Sequence, residues 1–129
     1  MSKKRYQPPS KAAERVWKAL LLSGFTILPE YDLGERLRGD FLLRELLVIV
    51  EIDGKQHTVY NSFHYDGKDD FRAAKARDQR KAVLCEQQGL NLIRLDEDEV
   101  MASSGPQELL ALILSKLSQQ QTESEEEEW

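Results

Sequence analysis

The chain has 129 residues, 32% of them charged and 40% hydrophobic, enough for one compact domain and too few for two. A single cysteine, Cys85, excludes an internal disulfide, and with only His57 and His64 beside it a structural zinc cage is not expected. The net charge of -5 does not exclude a nucleic-acid partner, because the five glutamates within residues 122–129 account for the whole excess of 23 acids over 18 bases.

No apolar run approaches the ~20 residues of a membrane-spanning helix, and Ser2-Lys3-Lys4-Arg5 leads into prolines instead of an apolar signal core. A soluble cytoplasmic protein with no membrane contact is expected. Residues 1–9 read as a basic flexible arm. Ser10 is a candidate N-cap for a helix to about Leu22, with an apolar stripe of Ala13, Val16, Trp17, Leu20 and Leu21, a stop at Gly24, and Glu14 beside the stripe. Short β-favouring pieces follow at 26–28, 39–43 and 46–53, the third apolar on both faces until it ends in Glu-Ile-Asp-Gly, as suits a buried central strand.

After a polar, aromatic loop at 54–68, Asp69 or Asp70 opens a long helix that ends at Gly89, and 91–95 reads as another strand. Strand, helix and strand in that order favour a right-handed crossover, which puts the last strand parallel to 48–50. A helix from Pro106 to about Leu117, with stripe Leu110, Ile113, Leu114 and Leu117, covers the sheet, and the acidic tail 119–129 is expected to be disordered. The expectation is therefore an α/β domain over 10–118: a helix, a three-stranded meander, a crossover helix, a further parallel strand and a C-terminal helix.

If Arg44-Glu45 form a two-residue hairpin, Asp40 stands opposite Ile49 and shares a face with Glu51 and Asp53, with Asp40 and Glu51 diagonal neighbours roughly 7–8 Å apart at the backbone. One cation can bridge that gap. Carboxylates clustered at the end of a buried strand are costly unless protonated or neutralised, and oxygen ligands suit Mg2+ or Mn2+ better than zinc. The alternative is a solvated strand end whose acids pair with nearby lysines and arginines.

The order of Glu14, Arg38-Gly39-Asp40, Val50-Glu51-Ile52-Asp53-Gly54-Lys55-Gln56-His57, Arg77-Asp78-Gln79-Arg80-Lys81, Gly89 and Ile93-Arg94-Leu95 resembles the PD-(D/E)XK, restriction-endonuclease-like superfamily. It looks closest to the small domains related to very-short-patch-repair endonucleases, over about residues 10–100. The resemblance implies a restriction-endonuclease-like core and a Mg2+- or Mn2+-dependent endonuclease acting on DNA. Asp40 and Glu51 would hold the ion, Glu14 would reach in from the first helix, and Asp53 and His57 would lie at the scissile phosphate. Two departures stand out: Arg38-Gly39 precede Asp40 where the superfamily often has proline, and Asp53 replaces the usual lysine two residues after the second acid. Lys55 is then the candidate positive charge, and Asp53 a further ligand or an orienter of the attacking water.

Asp78 falls in line with Phe71, Ala74, Ala82 and Cys85, the expected inward stripe. It either fixes His57 or Lys55, or forms an i, i+3 pair with Lys81. Arg72, Lys75, Arg77, Arg80 and Lys81, with Lys3, Lys4 and Arg5, are candidate phosphate contacts, some of them simply solvated. Tyr60, Phe63 and Tyr65 either stack on bases or pack under their loop, and His64 reads as an ordinary loop residue. Cys85 reads as a helix-packing residue. A nuclease fold that binds nucleic acid without cutting it is the rival reading. Cutting both strands is simplest with a homodimer, and the acidic tail offers a surface for a protein partner or a brake on DNA binding.

Overall fold

The computed structural model describes residues 5–54 and 68–127. The chain is α/β, with a four-stranded mixed sheet in the order β1-β2-β3-β4 and a helical layer on each face. The elements are α1 (Lys11–Leu21), β1 (Ile27–Gly34), β2 (Leu37–Leu43), β3 (Val48–Asp53), α2 (Lys68–Gln87), β4 (Asn91–Asp96), α3 (Glu97–Ala102) and α4 (Pro106–Glu127). Strands β1, β2 and β3 form an antiparallel meander, and α2 carries the chain across to β4, which lies parallel to β3 with Val50 opposite Ile93 and Glu51 opposite Arg94. No helix among the described residues is long and apolar enough to cross a membrane.

Helix α1 starts where its cap dictates: the Ser10 hydroxyl accepts the Ala13 N–H at 3.1 Å. One sheet face packs on α1, α3 and α4 through Val16, Leu20, Phe41, Leu43, Val48, Val50, Leu109 and Ile113. The other packs on α2 through Leu33, Leu42, Ile49, Leu84 and Cys85. Two expected stripes are shifted. Leu21 and Leu114 are exposed, while Ala12, Ala19 and Leu109 are buried. On α2, Ala82 faces solvent and Lys81 takes its place on the inward side.

Three segments depart from expectation. Strand β1 runs on past Leu28 to Gly34, because Glu35 and Arg36, both at positive φ, close a tight hairpin that keeps the strand paired. The arm is anchored at Tyr6, whose ring lies 4.9 Å from that of Trp17 and 5.7 Å from that of Phe41. Helix α4 continues through the acidic segment to Glu127, since Gln and Glu are good helix formers. Helix α3, opened by a capping box between Asp96 and Glu99, was too short for periodicity to reveal.

Gly39 is set by close approach, because a Cβ there would sit 2.7 Å from Cγ2 of the fully buried Ile49. Gly39→Ala is expected to cost about 1–3 kcal/mol of stability by overpacking. Urea denaturation checks this, and an unchanged midpoint would mean that Ile49 gives way freely.

Candidate active site

The site is built where β2 and β3 run side by side beneath α2. The β2–β3 connection takes four residues, 44–47, with Leu47 at φ 54, not the two-residue Arg44-Glu45 hairpin expected from the sequence. The register changes accordingly. Leu42 pairs with Ile49 and Phe41 with Val50, so the same register carries Asp40 opposite Glu51 and not opposite Ile49. The two acids remain on one face, and they are direct cross-strand partners instead of diagonal neighbours. Asp40 also ends the ladder, its Oδ2 accepting the Ile52 N–H at 2.8 Å.

Glu51 is 4% exposed, roofed by the α2 side of the core. Burial, then the neighbouring Asp40 carboxylate and its hydrogen bond, push its pKa up to about 8. Lys81 works against that rise, its Nζ lying 2.9 Å from Glu51 Oε1 on a side chain 21% exposed. Lys81 was expected to contact phosphates from the surface of α2. Its position three residues after Asp78 puts it instead on the inward stripe, beside the second acid.

Asp53, on the same face of β3, pairs with Arg94 at 3.2 Å, and the Arg94 guanidinium also donates to the Asp78 carbonyl at 3.1 Å. One side chain thus ties the end of β3 to α2. Neither Arg94 nor Tyr6 was assigned a role from the sequence. Burial, then the Asp40 and Glu30 carboxylates, push the Tyr6 phenol up to about 12. Burial also pushes the Cys85 thiol up, with Glu51 adding to it, so Cys85 is a packing residue and not a nucleophile.

Asp40 opens into a cleft of about 400 Å3 between β2 and α2, lined by Arg36, Arg38, Gly39, Asp40, Ala74, Arg77, Asp78 and Lys81, with Glu30 from β1. Glu30 sits at φ 53, a left-handed conformation that interrupts β1 opposite Asp40. Glu14 lies elsewhere. It pairs with Lys18 at 3.0 Å and lines a second cleft with Lys11, Arg15 and Ser103, a set of residues that shares no member with the first. Its expected reach into the acid pair fails because the inward side of α1 is filled by Ala12, Ala13, Val16 and Leu20. Arg72 pairs with Asp69, Lys75 lies over the Phe71 ring, and Arg80 pairs with Glu35, while Arg5 and Arg77 are exposed. Lys3, Lys4, Lys55, His57, Tyr60, Phe63, His64 and Tyr65 lie outside the described residues.

Among the described residues no three His, Cys, Asp or Glu side chains group in a way that could hold a metal ion. Asp40 and Glu51 nevertheless fit a hard divalent ion, since Mg2+ is commonly held by one or two carboxylates and keeps several waters or phosphate oxygens. A carboxylate pair that burial and mutual repulsion drive to hold a proton is also a pair that a cation relieves. No family model, curated protein or solved structure matches the chain.

Proposed function

We propose that the chain is a divalent-metal-dependent endonuclease with a restriction-endonuclease-like core, hydrolysing phosphodiester bonds of DNA. The observation that carries this reading is the cross-strand pair of half-buried Asp40 and buried Glu51 with Lys81 beside it, Asp40 and Lys81 lining a cleft that also holds Arg36, Arg38 and Arg77. Asp40 and Glu51 would hold the ion. A bound Mg2+ or Mn2+ supplies a Lewis acid for the phosphate and lowers the pKa of a bound water.

The chain's own residues do the rest. Lys81 works against the rise in the Glu51 pKa and brings a cation to the side of the cleft where negative charge grows in phosphoryl transfer. It thereby fills the role sought in Lys55. Arg94 fixes Asp53 at the end of β3 and, through the Asp78 carbonyl, holds α2 to that strand end. The apolar layer of Ile49, Leu84 and Cys85 behind Glu51 keeps water from that side.

The rival reading is a nuclease fold that binds nucleic acid without cutting it. It draws support from the ion pairs Glu51–Lys81 and Asp53–Arg94, which satisfy both acids without an ion. The two readings separate in a cleavage panel of labelled duplex, single-stranded, mismatched and branched DNA and RNA, with Mg2+ or Mn2+ and with chelator. The expected outcome is cutting that needs the ion and falls by at least about a hundredfold in Asp40→Ala. Binding without cutting across the whole panel would leave the rival in its place.

A further inference from the structure

We infer that the cleft between the β1–β2 hairpin and α2 is a clamp for a single strand of DNA, with Arg36 and Arg38 gripping its phosphates from the hairpin and Arg77 from the helix. This rests on the nucleic-acid reading above and names the form of the substrate. The residues come from two stretches of chain far apart in sequence, and the charge runs of the sequence pointed to the arm and the helix and not to the hairpin.

Arg36, Arg38 and Arg77 are exposed at the cleft rim with one acid, Glu30, whereas Asp40, Asp78 and Lys81 are half-buried further in. A polyanion therefore meets three cations against one acid at the mouth, and Asp40 further in. Arg36, Arg38 and Arg77 make no ion pair among the described residues, unlike Arg72 and Arg80 of α2. The hairpin holds a fixed place over α2. Arg80 donates through both Nε and Nη2 to the Glu35 carboxylate at 2.9 and 2.5 Å, and Gln88 donates to the Leu33 carbonyl at 2.8 Å.

Shape decides the form of the substrate. The cleft holds about 400 Å3, the size of a small-ligand pocket, and the Glu35–Arg80 pair joins its two walls. Glu51 lies beneath the surface, behind Asp40 and Lys81, which line the gap between hairpin and helix. A separated strand can thread that gap. A duplex brings its second strand and both groove walls with it and stays outside.

The test is fluorescence anisotropy in chelator, with a short labelled single-stranded DNA and the blunt duplex of the same sequence. Wild type is expected to bind the single strand at least about tenfold more tightly, by the entry argument above. Arg36→Asn with Arg38→Gln should lose about tenfold in affinity, and its salt slope should fall by about 1.4, the loss of two phosphate contacts on a single strand. Asn suits the left-handed backbone of position 36. Lys11→Gln with Lys18→Gln, on the other side of the sheet, should bind as wild type does. If the double variant fails to fold by circular dichroism, Arg38→Gln alone carries the same comparison, with about half the change in slope. Equal or tighter binding of the duplex, or unchanged binding by the hairpin variant, overturns the clamp. The outcome is separate from hydrolysis: a clamp that binds but never cuts removes the nuclease reading alone, and cutting that is indifferent to Arg36 and Arg38 removes the clamp alone.

Discussion

Lys81→Met is expected to cut DNA at least about a hundredfold more slowly than wild type while changing stability by only about 1 kcal/mol at neutral pH. The two effects separate because of Glu51. Removing one partner of a buried ion pair ordinarily costs about 3–5 kcal/mol, since a charge is left uncompensated. Here the remaining group has its pKa pushed up to about 8, so near pH 7 it takes a proton and the stranded charge does not persist. The positive charge at the cleft, in contrast, is lost outright. Single-turnover cleavage beside urea denaturation at pH 7 measures both. A loss of several kcal/mol in stability with cleavage unchanged would make Lys81 a structural residue only.

The second large effect is a pH dependence of stability. Glu51 has an ordinary pKa of 4.5 and a folded-state value of about 8, so between these limits the folded chain holds a proton that the unfolded chain has released. Stability therefore falls as pH rises through that window: the contribution of the protonated group is full below 4.5 and gone above about 8. Glu51→Gln keeps the size of the side chain and removes the titration. Its stability relative to wild type is expected to climb by a few kcal/mol between pH 5 and 8, read from denaturation midpoints at matched ionic strength. A difference that stays flat over that range would show that Glu51 is ionised throughout, held so by Lys81.

The sheet was legible in the sequence because its causes are local. The doubly apolar run at 46–50 announces a central strand, Ser10 and Gly24 bracket α1, and a strand, helix and strand in sequence force β4 parallel to β3. Asp40 and Glu51 were placed on one face by alternation and an assumed two-residue turn, and they share it because the turn is longer by two residues, which keeps the faces unchanged. What failed was whatever turned on a single residue of turn geometry. Leu47 at positive φ lengthens the β2–β3 turn and moves Asp40 directly opposite Glu51, and periodicity gives no sign of a left-handed leucine. Lys81 reads from the sequence as one of a run of basic residues on the long helix, a phosphate contact or the i, i+3 partner of Asp78. Only the buried acid across from it explains its position, and that contact joins residues 30 apart in the chain. Glu14 was carried to the site by resemblance, and the packing of α1 set it beside Lys18 instead. The hairpin arginines were missed for a similar reason: Glu35 and Arg36 take the left-handed conformations usual for Asn and Gly, so the tight turn that aims Arg36 and Arg38 had no recognisable turn residues.

Ion binding tests the account at its centre without needing the substrate to be known. Calorimetric titration of Mn2+ into wild type, Asp40→Asn and Glu51→Gln, at one pH and in the absence of DNA, compares the pair directly. The account predicts one site in wild type that weakens by at least about tenfold in each variant, because each removes one of two carboxylate ligands. Mn2+ binding that is the same in all three proteins, or no binding to wild type at millimolar ion, would contradict it.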